Sequence, residues 1–358
     1  VASFLASPSS GLAPLTVQFN DTSSGSNSDW QWNFGDLSQN ITTQNATHTF
    51  TSPGTYSVIL TVNNSVGKSS STSQIQVLQP PSFKSGWSYR KLHTITGSPD
   101  MDLPNYPVRL LVYRDGTTLQ SGPVIQAGTN VKADFSDLRF TDVSGTDLSY
   151  WIESVNSTAA AVWVKLPTLP KGGAQLYVYY GNSTASSVSS GGSVFTLFDD
   201  FNSVNSNWTQ SGGVATANSV VTLSSSGLLI STQTFNINNA TGMKGTISSS
   251  VYNIAGFVKP DDGSGTMFYG AYPTGGVINA VTRNPSPPSS VSLGALAGTH
   301  IYEVSRKGTD SAQFSVDGVG SATLSQNIPT SANSVILFAQ AGTMTADWVY
   351  VRPATQNE

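Results

Sequence analysis

Asp134-Phe-Ser-Asp-Leu-Arg-Phe-Thr-Asp142, Tyr150-Trp-Ile-Glu153, Ala161-Val-Trp-Val-Lys165, Leu176-Tyr-Val-Tyr-Tyr-Gly-Asn182 and Phe198-Asp-Asp-Phe201 follow one another in the middle of the chain. Each run is short and rich in aromatic and β-branched residues. Between them stand Gly, Pro, Ser and Asn. That is the sequence form of strands joined by turns, and it sets the expectation of an all-β molecule.

The pattern extends in both directions. Toward the N-terminus, Leu15, Val17 and Phe19 alternate with polar neighbours, as do Trp30, Trp32 and Phe34, and Tyr56, Val58, Leu60 and Val62. A period of two places each set on one buried strand face, so residues 1 to 79 are expected to form a small β-sandwich. Asn20 falls on the opposite parity from Phe19 and is expected to face solvent. Gln79-Pro-Pro-Ser82 reads as an extended, semi-rigid linker, and residues 83 to 192 as a second sandwich that includes Tyr106-Pro-Val-Arg-Leu-Leu-Val112. Ser183 to Ser193, rich in Ser and Gly, reads as a loop or flexible joint. From 195 to 358, runs such as Gly227-Leu-Leu-Ile230, Ala255-Gly-Phe-Val258, Val335-Ile-Leu-Phe338 and Trp348-Val-Tyr-Val351 recur with no helical period, which predicts a jelly roll.

Three resemblances accompany these patterns. Trp32-Asn-Phe-Gly-Asp36, Thr47-His-Thr-Phe50 and Pro53-Gly-Thr-Tyr56 resemble the PKD (polycystic kidney disease) domain, a sandwich that serves as spacer or contact module. Asn33 and Leu37 stand where that family more usually has Asp and Gly, so the tip of one loop departs from the pattern. The runs from Trp87-Ser-Tyr-Arg90 through Phe201 resemble domain-of-unknown-function family 2341 of archaeal and bacterial surface proteins, which has no established chemistry. Thr299-His-Ile-Tyr302 with Phe314-Ser-Val-Asp-Gly318 resembles laminin-G and concanavalin-like lectin domains; there the first run is a core strand and Asp-Gly a hairpin turn. The implied fold class is three tandem β-sandwich domains: an Ig-like PKD sandwich, a middle sandwich and a concanavalin-like jelly roll.

Composition narrows the function. Lys and Arg number 16 against 20 Asp and Glu, so no basic excess is present to neutralise phosphates and nucleic acid is not an expected partner. No apolar run reaches the roughly 20 residues of a membrane span. The chain opens on Val1-Ala-Ser-Phe4 without signal peptide or initiator Met and reads as processed or excised. Cys is absent, which excludes disulfides and thiolate metal sites. Sequons at Asn20, Asn40, Asn45, Asn63, Asn156, Asn182, Asn207 and Asn239 suit a secreted glycoprotein, although a chain this rich in Asn, Ser and Thr produces many by chance.

Candidate chemistry is sparse. A glycoside hydrolase needs two carboxylates in one cleft, yet the chain has only Glu153, Glu303 and Glu358, none with an acidic residue two positions away. His48, His93 and His300 fall in different expected domains, which disfavours a triad or zinc cluster. Asp200, beside Asp199, opens the last domain and Asp347 precedes its last strand. The pair Asp200 and Asp347 is therefore a candidate site for a structural Ca²⁺. Set beside it is the plainer reading, in which Asp347 pairs with Arg352 or caps a turn and Asp199 faces water. Asp261-Asp262-Gly263 reads as a turn, Tyr177, Tyr179 and Tyr180 as core packing, and Arg139 with Asp137 and Asp142 as a structural salt-bridge network.

The expectation is thus a non-catalytic extracellular cell-surface protein with a structural or adhesive role, such as the repeating subunit of a filament, sheath or surface layer. Its partners would be copies of itself, joined head to tail through unguarded strand edges, or other envelope proteins. A lectin-like glycan binder and an accessory part of a polysaccharide-degrading enzyme are the alternatives.

Overall fold

The computed structural model describes residues 1–99, 101–115, 124–270, 276–284 and 287–355. Glu358 lies outside the described residues. The molecule is all-β, and by contact it divides into two compact units: Val1–Arg90 with Thr141–Asp147, and Lys91–Phe140 with Leu148–Glu358. The regions that the sequence separates near residues 192 to 195 share the second unit.

In the first unit, the strands Phe4–Ser7, Leu15–Asp21 and Ala46–Phe50 form one sheet. The strands Ser10–Leu12, Gly67–Leu78, Gly54–Asn64 and Asp29–Asn33 form the other. The expected alternation is borne out: Val17, Phe19, Trp32, Phe34, Val58, Leu60 and Val62 are buried between the sheets, and Asn20 is exposed. Trp30 and Tyr56 are only half-buried because each reaches the rim. There the Trp30 Nε1 donates to Asp21 Oδ2 at 2.8 Å and the Tyr56 hydroxyl to the Ser52 carbonyl at 2.8 Å. Burying each large side chain contributes about 1.5–3 kcal/mol, and this set accounts for the small core.

The departing loop tip has a local explanation. Asn33 Oδ1 accepts a hydrogen bond from the Gly35 amide at 2.9 Å, as an Asp oxygen would there. Leu37 has a φ of 67° with its side chain fully exposed, a conformation that suits Gly and strains Leu. No packing would be lost on substitution. Leu37→Gly is expected to raise the stability of the first unit by about 1 kcal/mol, the left-handed strain outweighing the added chain entropy. Urea unfolding of the whole chain, followed by a probe in this unit, would show the shift; an unchanged or lowered midpoint would refute it.

The next sandwich, which apart from Tyr89, Arg90 and residues 141–147 lies in the second unit, has the sheets Val124–Gln126, Leu103–Tyr113, Ala159–Leu169 and Tyr150–Val155 on one side, and Asp147–Leu148, Arg139–Asp142, Ala174–Tyr180 and Tyr89–Ile95 on the other. Leu176, Val178 and Tyr180 lie in its core; Tyr177 and Tyr179 are buried as well, so none of the three is open to a ligand. Asp137 is fully buried and accepts amide hydrogens from Lys132 at 3.0 Å and Gly181 at 2.7 Å. Arg139 donates to the carbonyls of Ser136, Leu138 and Ser186, and Asp142 Oδ1 accepts from the Ser144 and Thr146 amides. These charged side chains fasten loops, including Ser183 to Ser193, whose Ala185 and Ser186 carbonyls are held by Lys132 and Arg139.

The jelly roll follows. Its two faces are joined by the strand Val220–Phe235. Val221–Ser224 pair with the strand Thr343–Pro353 in one face, while residues from Gly227 onward pair with the strand Asn333–Ala339 in the other. The corner lies at Ser225 and Ser226, both with positive φ. Gly212 and Gly213 of the neighbouring strand sit against it, and a Cβ on Gly212 would lie 2.2 Å from the Ser226 carbonyl oxygen. The core between the faces includes Phe201, Trp208, Leu229, Phe257, Tyr302, Phe314 and Val349. Asp317 and Gly318, at φ 53° and 78°, form the expected hairpin turn.

Candidate functional site

Within the second unit, the outer face of one sheet of the first sandwich meets a face of the jelly roll. Alternation explains what is brought there. In Thr343–Pro353, Val349 and Val351 point into the jelly-roll core, so Trp348, Tyr350 and Arg352 point out. In His300–Lys307, Tyr302 and Val304 are core, so Ile301, Glu303 and Ser305 point out. From the other sandwich come Arg109, Trp151, Trp163 and Glu153, the last at a β-bulge in Tyr150–Val155.

The floor of the seam is aromatic. Trp151, Trp163, Phe195, Trp348 and Tyr350 are all buried; the Phe195 and Tyr350 rings stack at 4.4 Å, and Trp151 meets Trp348 edge-on at 5.3 Å. Gly191–Val194, a single helical turn, delivers Val194 and Phe195 into this cluster.

Two ion pairs stand on that floor. Arg109 Nε and Nη2 donate to Glu153 Oε2 and Oε1 at 3.0 and 2.9 Å, and Trp163 Nε1 donates to Glu153 Oε2 at 2.6 Å. Arg352 Nη2 and Nε donate to Glu303 Oε1 and Oε2 at 2.9 and 3.2 Å, and the Tyr350 hydroxyl donates to Glu303 Oε2 at 2.5 Å. The Arg352 guanidinium also lies 5.3 Å over the Trp163 ring, which ties the two groups together. Burial works to raise the Glu303 carboxyl, but the charge and hydrogen bonds of Arg352 and the bond from Tyr350 outweigh it and hold the group below its ordinary value. Burial, reinforced by the adjacent Glu303 charge, pushes the Tyr350 phenol well above its ordinary value.

The Tyr350 reach depends on a gap. In register, Gly242 lies between Tyr350 and Glu303, and a Cβ there would meet Tyr350 Cζ at 2.4 Å. The ring crosses the strand Asn239–Thr246 only because that position has no side chain. Above these groups opens a cleft of about 360 Å³, also lined by Ser305, Gln313, Ser315 and Asp317. Asp317 Oδ2 is 2.7 Å from His300 Nδ1; that hydrogen bond raises the His300 value despite some burial.

Elsewhere, the residues singled out in the sequence have ordinary partners. Asp347 Oδ2 pairs with Lys244 Nζ at 2.9 Å, and Arg352 pairs with Glu303 instead of Asp347. Asp200 Oδ1 accepts from the Asn202 amide at 3.4 Å. Asp199 is buried rather than facing water; it accepts from the Phe201 amide at 2.8 Å and from Trp208 Nε1 at 2.7 Å. Among the described residues no group of three or more His, Cys, Asp or Glu is arranged to hold a metal ion. Asp262 caps its own turn through the Ser264 amide. Asn20, Asn40, Asn45 and Asn156 are exposed, and Asn63, Asn182, Asn207 and Asn239 are partly exposed. No helix among the described residues is long and apolar enough to cross a membrane.

Residues 7–78 match the family model for the PKD domain, and residues 134–211 match that for a domain of unknown function, DUF2341. These are two of the three resemblances read from the sequence, in the same order. No curated protein matches the chain. Among solved structures, the fold is similar to a prokaryotic β-1,3-1,4-glucanase (lichenase) from a mouse hindgut metagenome, with 11% identity over 44% of this chain and 98% of that one at a TM-score of 0.37. It is similar to β-agarase A from Zobellia galactanivorans, with 14% identity over 41% and 82% at 0.31. It is also similar to the Crh5 transglycosylase in complex with NAG, with 15% identity over 45% and 84% at 0.36. Likeness at this level concerns the jelly-roll fold and transfers no residue's role.

These findings correct two expectations. The structural or adhesive role and the absence of enzymatic chemistry rested on the lack of a carboxylate pair in one cleft. Glu153 and Glu303, 150 positions apart in sequence, line one cleft. Sequence reasoning missed the pair because it looked for closely spaced acids on one strand. A usable signal was present: a charged residue at the end of an aromatic strand run, in Tyr150-Trp-Ile-Glu153 and in Trp348-Val-Tyr-Val-Arg352.

Two outcomes follow from this geometry. Gly242→Ala is expected to cost about 1–3 kcal/mol by displacing Tyr350, and to cost little in a Tyr350→Ala background. Additive losses in that double-mutant cycle would remove the steric account. Because Glu303 is lowered on folding, its contribution is complete above the unfolded glutamate value of about 4.3 and fades as pH falls through the folded value. Glu303→Gln should therefore lower stability by about 3 kcal/mol at neutral pH and flatten the acid limb of the stability profile. An acid limb identical to wild type would contradict the assignment.

Proposed function

We propose that this chain is a carbohydrate-directed protein of the extracellular, cell-surface type, with a glycan as the ligand of the seam cleft. The carrying observation is the composition of that cleft. Two guanidinium groups are balanced by two carboxylates, Asp317 is matched by His300, and the rest of the lining offers hydroxyl and amide groups over aromatic rings. A surface whose charges are held in pairs, dense in donors and acceptors, suits an uncharged polyol. An anionic ligand would call for excess cation and a cationic one for excess carboxylate. The volume falls at the lower end of the roughly 300–1,000 Å³ usual for small-ligand sites.

The carboxylate pair supports a second reading, hydrolysis or transfer at a glycosidic bond. Such chemistry takes one ionised and one protonated carboxyl group. Glu303, held below its ordinary value by Arg352 and Tyr350, suits the ionised role.

A panel of mixed-linkage β-glucan, agarose and N-acetylglucosamine oligosaccharides, titrated calorimetrically and assayed for new reducing ends, tests both readings. Binding of at least one member is expected. Gln313→Ala and Ser315→Ala, which leave both ion pairs intact, should each weaken it about fivefold, the value of one hydrogen bond. Failure of every member to bind, or binding indifferent to both substitutions, would overturn the site. Reducing ends that vanish in Glu303→Gln while binding persists would establish the second reading.

A further inference from the structure

Resting on that glycan reading, we infer that the site accepts an internal stretch of an extended chain that crosses the seam, and not merely a terminal sugar. A second cleft of about 850 Å³ opens beside the first and is bounded by the same three side chains, Arg109, Trp163 and Arg352. Its far wall carries His93, Thr94, Thr96 and Tyr106, from strands of the first sandwich of this unit and the turn that follows one of them. The ridge between the clefts is polar at its surface. Arg109 is 41% exposed, Arg352 is 8% exposed, and Trp163 is buried beneath.

The ridge has a donor to offer. Nε and Nη2 of Arg109 bind Glu153, whereas its Nη1 has no hydrogen-bond partner among the described residues. A hydroxyl of a sugar passing over the ridge can accept from that nitrogen, with the guanidinium already fixed by Glu153 and needing no ordering on binding. Thr94 and Thr96 are exposed on the far side and present hydroxyls to the next unit of the chain. The two clefts adjoin across this ridge, so one extended chain can occupy both.

The test is a length series, from disaccharide to octasaccharide, of the panel glycan that binds. Affinity should rise about tenfold once the oligomer spans the ridge, which corresponds to about 1.4 kcal/mol. Thr96→Arg, which narrows the second cleft alone, should erase that rise and leave disaccharide affinity unchanged. Equal affinity at every length, or a rise that survives Thr96→Arg, overturns this inference while the binding site stands. Absence of binding to any panel member overturns the earlier reading and this one together.

Discussion

A carboxylate withdrawn from water must be met by a cation and hydrogen-bond donors, or it will not stay ionised. Glu303 obeys that constraint with Arg352 and Tyr350, and the requirement spreads outward. Tyr350 can reach it only across Gly242, whose bare Cα leaves room for the ring. Arg352 can be placed only if Thr343–Pro353 keeps its alternation, with Val349 and Val351 on the core side. The guanidinium then lies over Trp163 of the neighbouring sandwich, whose indole in turn serves Glu153. One buried acid thus fixes the register of two strands and the approach of a third.

Much of the fold was readable from sequence because strands with one wet face leave a period of two. Leu15, Val17 and Phe19, or Tyr56 through Val62, announce their sheet without knowledge of any partner. Asp317-Gly318 announces its turn for an equally local reason: two successive positive φ values suit those residues. The seam left only a faint local mark, a charged residue closing an aromatic run. Trp151, Trp163, Trp348 and Tyr350 stand in runs read only as strands; they are buried, together in one cluster apart from the two sandwich cores. Arg109 and Glu153, or Glu303 and Arg352, are 44 and 49 residues apart, beyond any spacing rule. Asp199 was misread for a related reason: an acid after a strand looks solvated until Trp208 folds back to donate to it.

The span of the DUF2341 match makes physical sense in this light. Residues 134–211 run past the first sandwich of the second unit, through the turn at Gly191–Val194, and into the strand that begins at Trp208. That span contains Trp151, Glu153, Trp163, Phe195 and Phe198. It supplies one whole side of the aromatic seam, together with Leu197–Asp199, the strand that pairs with the end of Thr343–Pro353. The matched residues thus take in a joint and its abutting strands as well as part of the sandwich.

The corner strand Val220–Phe235 hydrogen-bonds in both faces of the jelly roll. Neither face consequently owns a complete set of strands. A break in the chain at Ser225 or Ser226 would leave both ladders paired but remove this covalent tie between the faces, so the intact strand keeps the jelly roll from shedding one layer as a separate part. Recombination between relatives would have to carry the whole roll, and tension applied along that strand would load both layers at once instead of peeling one from the other.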